Sequence, residues 1–212
     1  MRSFDKIIEK SFSSFAKHNG FTQKKGLFWC TVNNGLIKAI GFNKTSAKYE
    51  ALYFIQPLFD SKDYWILEYG DTLVRRYSQN AKELLLYRNS EESLFNGNLE
   101  NIKKCFGQEI VYRLNQICDV NSLYDEINGD LFFCSTKNRL RLSAYSLLYS
   151  KKYEDAEVLF KRYVEMEKKD GCCFEERISE PQKLLETINN NPEMAYSMLV
   201  ANVAESSRLL KI

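Results

Sequence analysis

Histidine occurs once in the 212 residues, at His18, proline three times and glycine nine times. One imidazole leaves little for a transition-metal centre, which draws several His, Cys or carboxylate ligands from close spacing. It also leaves one candidate base for a Ser or Cys nucleophile, and no nucleophile-elbow sequence accompanies it. So few Pro and Gly breaks predict long helices. No apolar run approaches the roughly 20 residues a membrane-spanning helix needs. The start, Met1-Arg2-Ser3-Phe4-Asp5-Lys6, runs into an amphipathic pattern instead of a secretory leader. A soluble, cytoplasmic chain with no membrane association is expected. The six cysteines (Cys30, Cys105, Cys118, Cys134, Cys172, Cys173) include no CxxC pair and read as reduced thiols, mostly within apolar patterns. The adjacent Cys172-Cys173, near Lys168-Lys169, invites a redox reading that Glu175 and Glu176 oppose.

Phosphate-binding loops are missing as well. Gly41-Phe42-Asn43-Lys44-Thr45 separates Gly from Lys, and Leu36 stands where the first glycine of a P-loop belongs. The carboxylate pairs Glu91-Glu92, Glu154-Asp155 and Glu175-Glu176 fall on polar faces or turns, without the apolar setting that raises a pKa for acid–base work. No residue is therefore assigned a catalytic, cofactor-binding or metal-ligating role, and no cofactor is expected.

What the chain does have is a globular composition: 44% hydrophobic, 27% charged and 14% aromatic, with 13 Tyr and 14 Phe. Each ring buries roughly 150–250 Å², so a well-filled core is expected, with some Tyr left for surfaces. The net charge of +2 is uneven. Residues 1–50 hold nine Lys/Arg against three acids, which reads as the solvated side of a helix and hairpin.

The side-chain rhythm divides the chain. Phe4, Ile7, Ile8, Phe12, Phe15 and Ala16 mark an amphipathic helix that stops at Asn19-Gly20. Leu27–Val32, then Asn33-Asn34-Gly35, then Leu36–Phe42 predicts a hairpin, since Asn-Gly accepts positive φ at both positions. Tyr49–Phe59, edged by Pro57, and Tyr64–Tyr69 predict two more strands, with turns at Lys44–Lys48 and Gly70-Asp71. From about residue 79 a helical period takes over, with helices expected near 79–88, 91–95, 98–118 and 121–128 and a break at Asn96-Gly97. Then comes a pair joined at Lys151-Lys152, its second helix ended by Gly171. A final pair follows near 180–189 and 192–210, with Pro181 and Pro192 in first turns. The expected fold is α+β: an N-terminal helix plus a small antiparallel meander of about four strands, followed by a mostly helical C-terminal portion. Residues 1–78 carry the helix and sheet; residues 79–212 form the helical region, which can also pack as one domain with the sheet.

Gly20-Phe21, Lys24-Lys25-Gly26-Leu27-Phe28-Trp29 and the meander resemble an uncharacterised bacterial group, domain-of-unknown-function family 4304, over about residues 1–75. That resemblance implies a fold and no activity. Ala144-Tyr145 through Tyr153-Glu154-Asp155-Ala156 to Phe160 and Val164 is similar to one tetratricopeptide helix pair. No repeat of roughly 34 residues follows, so an ordinary helix hairpin is expected.

The function expected is that of a non-catalytic protein-interaction or accessory protein, an immunity-type factor being one form of it, with another protein as its partner. Two alternatives stand beside it. One is an enzyme with an unrecognised carboxylate/arginine cleft, for instance at Arg75-Arg76. The other is a weak nucleic-acid binder through the basic N-terminal third, where Lys24-Lys25 adjoin Phe28 and Trp29 and where Lys44 and Lys48 adjoin Tyr49.

Overall fold

The structure, a computed structural model, describes residues 4–60, 69–169 and 175–212. Its class is α+β, as expected. Helix α1 (Phe4–His18) precedes four strands: β1 (Thr22–Lys25), β2 (Phe28–Asn33), β3 (Leu36–Lys44) and β4 (Lys48–Pro57). Next come β5 (Gly70–Thr72), α2 (Leu73–Arg76), a 3-10 segment (Ser78–Leu84) and β6 (Leu85–Tyr87). Helix α3 (Glu92–Cys105) continues through a π segment (Phe106–Ile110) into α4 (Val111–Gln116). The rest is helical: α5 (Val120–Ile127), α6 (Thr136–Tyr149), α7 (Tyr153–Lys169), α8 (Glu175–Asn190) and α9 (Pro192–Leu210). Two compact units result. The first takes residues 1–33, 37–56 and 69–116; the second takes 34–36, 57–68 and 117–212.

The sheet of the first unit is antiparallel and six-stranded, in the order β1-β2-β3-β4-β5, with β6 also on β4. One edge of β4 carries two short strands end to end: Lys48–Glu50 pairs with β6, and Leu52–Phe54 with β5. Three expectations need correction here. Strand β1 has the sequence Thr-Gln-Lys-Lys, exposed throughout, and as a charged edge it shows no alternation to read. Gly70-Asp71 is a strand and not a turn. Residues 85–87 form β6 where a helix was expected, because the preceding 3-10 turns kink at Asn80. Residues 64–68 of the anticipated fourth strand lie outside the described residues. The Tyr69 carbonyl accepts from Ile55 N at 2.9 Å and extends the β5 pairing.

Asn34 and Gly35, at φ 47° and 75°, make the β2–β3 turn the sequence specifies. From Leu36 to Phe42 every residue is buried, Lys38 among them. Burial on both faces replaces alternation by a continuous apolar run, so β3 shows no in-and-out alternation from Leu36 to Phe42. Helix α1 covers one face, as expected. Its Phe12 ring meets Trp29 at 5.0 Å, Phe42 at 4.9 Å and Phe106 at 5.6 Å. Burying such a ring contributes about 1.5–3 kcal/mol.

Helix α3 runs unbroken through Asn96-Gly97, again against expectation. Buried Phe95, Leu99 and Ile102 hold it, and this packing outweighs the roughly 1 kcal/mol that a mid-helix glycine costs. A Cβ at Gly97 would meet nothing within 4 Å. Gly97→Ala is therefore expected to stabilise the fold by about 0.5–1 kcal/mol, measured by urea denaturation.

In the second unit α6 and α7 form the expected hairpin. Lys151, at φ 59°, closes α6 as Lys152 N donates to Leu147 O at 2.9 Å. Buried Ala156 admits close approach, and Phe160 meets Tyr145 at 5.2 Å. Helix α6 is buried from Arg141 to Leu148 without interruption, so it is the unit's central helix and not an amphipathic one. Helix α8 begins before the expected 180, which places Pro181 inside the helix instead of in its first turn. Pro192 does open α9, and Asn191 caps it through Met194 N at 3.1 Å.

Candidate functional site

Arg75-Arg76, the arginine pair of the enzyme alternative, lies in α2 of the first unit. Arg75 Nε is 3.5 Å from Asp71. Arg76 donates to Glu109, in the π segment, and Glu109 also accepts from Arg113 at 3.2 Å and from the Tyr77 hydroxyl at 3.0 Å. A π segment shifts one residue off the helical stripe, and here it brings Glu109 under these donors. Burial disfavours the Glu109 carboxylate, but the hydrogen bonds from Arg76 and Arg113 outweigh it and hold its pKa below the usual value. Burial raises the Tyr53 phenol, also close to Arg76, well above the ordinary tyrosine range. The cluster is thus a carboxylate kept charged by two arginines. Its acid is already engaged, and it is no general acid at neutral pH.

The second unit holds a more deeply buried set. Asp60, 1% exposed, accepts from Arg141 of α6. The Arg141 guanidinium also lies 5.4 Å from the Tyr145 ring. Glu180 of α8 faces the same region and accepts from Asn202 Nδ2 at 3.0 Å; that nitrogen also donates to Phe59 O at 3.1 Å. Lys137 reaches buried Glu167 at 3.1 Å. Burial, then the Asp60 charge, raises the Glu180 pKa. Burial raises the Tyr163 phenol to about 12.

These groups fasten α6, α7, α8 and α9 together. Sequence reasoning missed them, although Arg141 between Leu140 and Leu142 in an apolar segment was a signal. A raised Glu pKa means that folding favours the protonated form. The fold is then most favoured below the unfolded value, and stability is lost as pH rises through the folded one. Glu180→Gln is expected to stabilise at neutral pH and to lose that advantage below about pH 4, read from melting temperatures across pH. Glu109 acts oppositely: its contribution is present above the unfolded value and lost as acid protonates it.

A pocket of about 310 Å³ opens in the second unit, lined by Asn34, Asp119, Val120, Asn121, Tyr149 and Ser150. Its polar groups serve the backbone and each other. Asp119 caps α5 through Ser122 N at 2.9 Å, Asn34 Nδ2 donates to Cys118 O at 2.9 Å, and Ser150 Oγ donates to Asn121 Oδ1 at 3.1 Å. One carboxylate, held low by hydrogen bonds from Ser122, gives no convergent acid pair.

His18 is the last residue of α1 and is exposed. Burial pushes the Cys30 thiol up to about 11, which makes it unreactive. Cys172 and Cys173 lie outside the described residues. Among the described residues no group of three or more His, Cys, Asp or Glu could hold a metal ion, and no helix is long and apolar enough to cross a membrane. Of the aromatics beside the N-terminal lysines, Trp29 and Tyr49 are each 1% exposed, Phe28 is half-buried with its ring edge-on to Phe54, and Lys44 pairs with Asp5 at 2.6 Å. Base stacking needs exposed rings.

The helical surface remains. Helix α7 turns Glu154, Asp155, Lys161, Arg162, Glu165 and Lys168 outward, an ordinary solvated face. Helix α9 does not. Ala195, Leu199 and Ser206 are buried, and its opposite side exposes Met194, Ser197, Val200, Ala201 and Ala204, with charge at Glu193 before them and at Glu205 and Arg208 after them.

Compared with known proteins, the chain matches no family model, no curated protein and no solved structure.

Proposed function

We propose that the chain is a non-catalytic accessory protein that acts by binding another protein through its helical surface. The middle of the outer face of α9, from Met194 to Ala204, exposes no charge and supports this reading, because a solvated helix ordinarily turns charge outward. The sheet is a poor candidate for the contact, since its central strands β3 and β4 are buried along most of their length. The ionisable clusters at Glu109 and Asp60 spend their hydrogen bonds on neighbouring elements and so support a structural role over a catalytic one. An immunity-type role, in which a small protein covers another, is one such use.

The test is affinity capture from native cell extract with the wild-type chain and with Val200→Glu. A near-stoichiometric partner retained by the first and lost by the second is expected, with unchanged melting temperature because Val200 is 42% exposed. Equal recovery by both would sink the reading, and so would a chain that retains no partner at all, its own copies included.

A further inference from the structure

Along α9, Met194, Ser197, Ala201, Ala204 and Arg208 succeed one another at intervals of three, four, three and four. This alternation keeps one stripe of a helix against a facing helix over several turns. Val200 stands beside the stripe, and Met194, 58% exposed, opens it. Charge is confined to the two ends. At the first, Glu193 accepts from Lys151 at 3.1 Å and from the Tyr153 hydroxyl at 2.8 Å. At the second, Arg208 holds Glu205 through Nε at 2.9 Å and Nη2 at 2.6 Å.

We propose that α9 packs antiparallel against α9 of a second copy of this chain, about a two-fold axis passing between Val200 and Ala201. The proposal rests on the protein-binding reading and names its partner. In this register Glu193 of one copy lies level with Arg208 of the other, at both ends, and Ser197 lies level with Ala204. Charge decides the orientation: a parallel pair would set Glu193 against Glu193 and Arg208 against Arg208. Lys151 and Glu205 accompany their partners, so each end of the contact is neutral in sum. A carboxylate has lone pairs for more than two donors, so Glu193 can keep Lys151 and Tyr153 while accepting Arg208. Short side chains at Ser197, Ala201 and Ala204 let the axes approach to about 8 Å. The contact is isologous and uses the same face on both copies, so assembly stops at a dimer. From Glu193 to Arg208 the helix runs roughly 22 Å, a small interface whose affinity falls in the micromolar range.

Sedimentation equilibrium of the purified full chain tests this. Dimer is expected at several hundred micromolar. Glu193→Arg and Arg208→Glu, each alone, place like charges at both ends and should weaken association about tenfold or more. An equimolar mixture of the two variants restores opposite charges at both ends, so the heterodimer should recover the original affinity. This recovery also separates the interface from any loss of the contacts Glu193 makes within its own chain. A wild-type chain that stays monomeric overturns the proposal, and so does a dimer indifferent to both reversals or a mixture that fails to recover. If the wild-type chain is monomeric while Val200→Glu still abolishes capture of a different protein, the two-fold contact is wrong and the protein-binding reading stands.

Discussion

Asp60→Ala is expected to cost about 3–5 kcal/mol of stability, because it leaves Arg141 charged inside α6 without the carboxylate that faces it. The Asp60 side chain is 1% exposed and that of Arg141 8%, so solvent offers neither a substitute partner. Arg141→Met should cost a similar amount by taking the guanidinium away from the buried Asp60 carboxylate. The two together should cost far less than their sum. Burying an ion pair forfeits hydration that the pair barely recovers, and an apolar replacement forfeits none. Glu180 adds a second readout. The Asp60 charge is among the causes that raise its pKa, so removing Asp60 should bring the Glu180 titration down toward the ordinary range. Urea denaturation of the four members of the cycle, with NMR titration of Glu180 in the stable ones, checks both. Additive losses would show that the pair does not act as one unit.

Much of the N-terminal helix and hairpin was legible because local chemistry and packing agree there. Helix α1 ends where Asn19-Gly20 stops it, and the Asn34-Gly35 turn sets the β2–β3 register. What escaped was decided by contacts distant in sequence. Strand β1 is a strand only because β2 lies beside it, and β5 and β6 are three residues each, too short for any period to show. Glycine and proline misled in opposite ways. Gly97 is expected to break α3, and Pro181 to open α8; both sit inside helices, Gly97 because burial on the opposite face holds α3, and Pro181 because it is buried on the same face as Ile178, Leu184 and Ile188. The polar network was the least legible part. Asp60, Arg141 and Glu180 are 81 and 39 residues apart along the chain, and only the packing of α6 and α8 brings them together. The outer face of α9 was visible as sequence, yet an apolar helical stripe reads first as core. Its exposure is what distinguishes it.

Glycine also supplies the second large effect. Gly41 sits in β3 without the positive φ that forces glycine at Gly20, Gly26 or Gly35, so its backbone would accept any residue. Space is the constraint. An added Cβ would fall inside the van der Waals envelope of the Leu27 carbonyl oxygen, 2.7 Å from Phe28 Cδ1 and 3.0 Å from Phe28 Cα. The carbonyl cannot retreat cheaply, because it accepts from Phe42 N at 3.0 Å. Phe28 is held too, its ring edge-on to Phe54 at 6.0 Å. Gly41→Ala must therefore push β2 away from β3 at its first residues, and a loss of about 3 kcal/mol is expected. The same substitution at Gly97, where the space is open, has the opposite sign. Measuring the two variants side by side isolates the steric cause, since both add one methyl and both reduce the freedom of the unfolded chain alike. If Gly41→Ala proved neutral, Leu27 and Phe28 would have to be far more mobile than their hydrogen bond and ring contact allow.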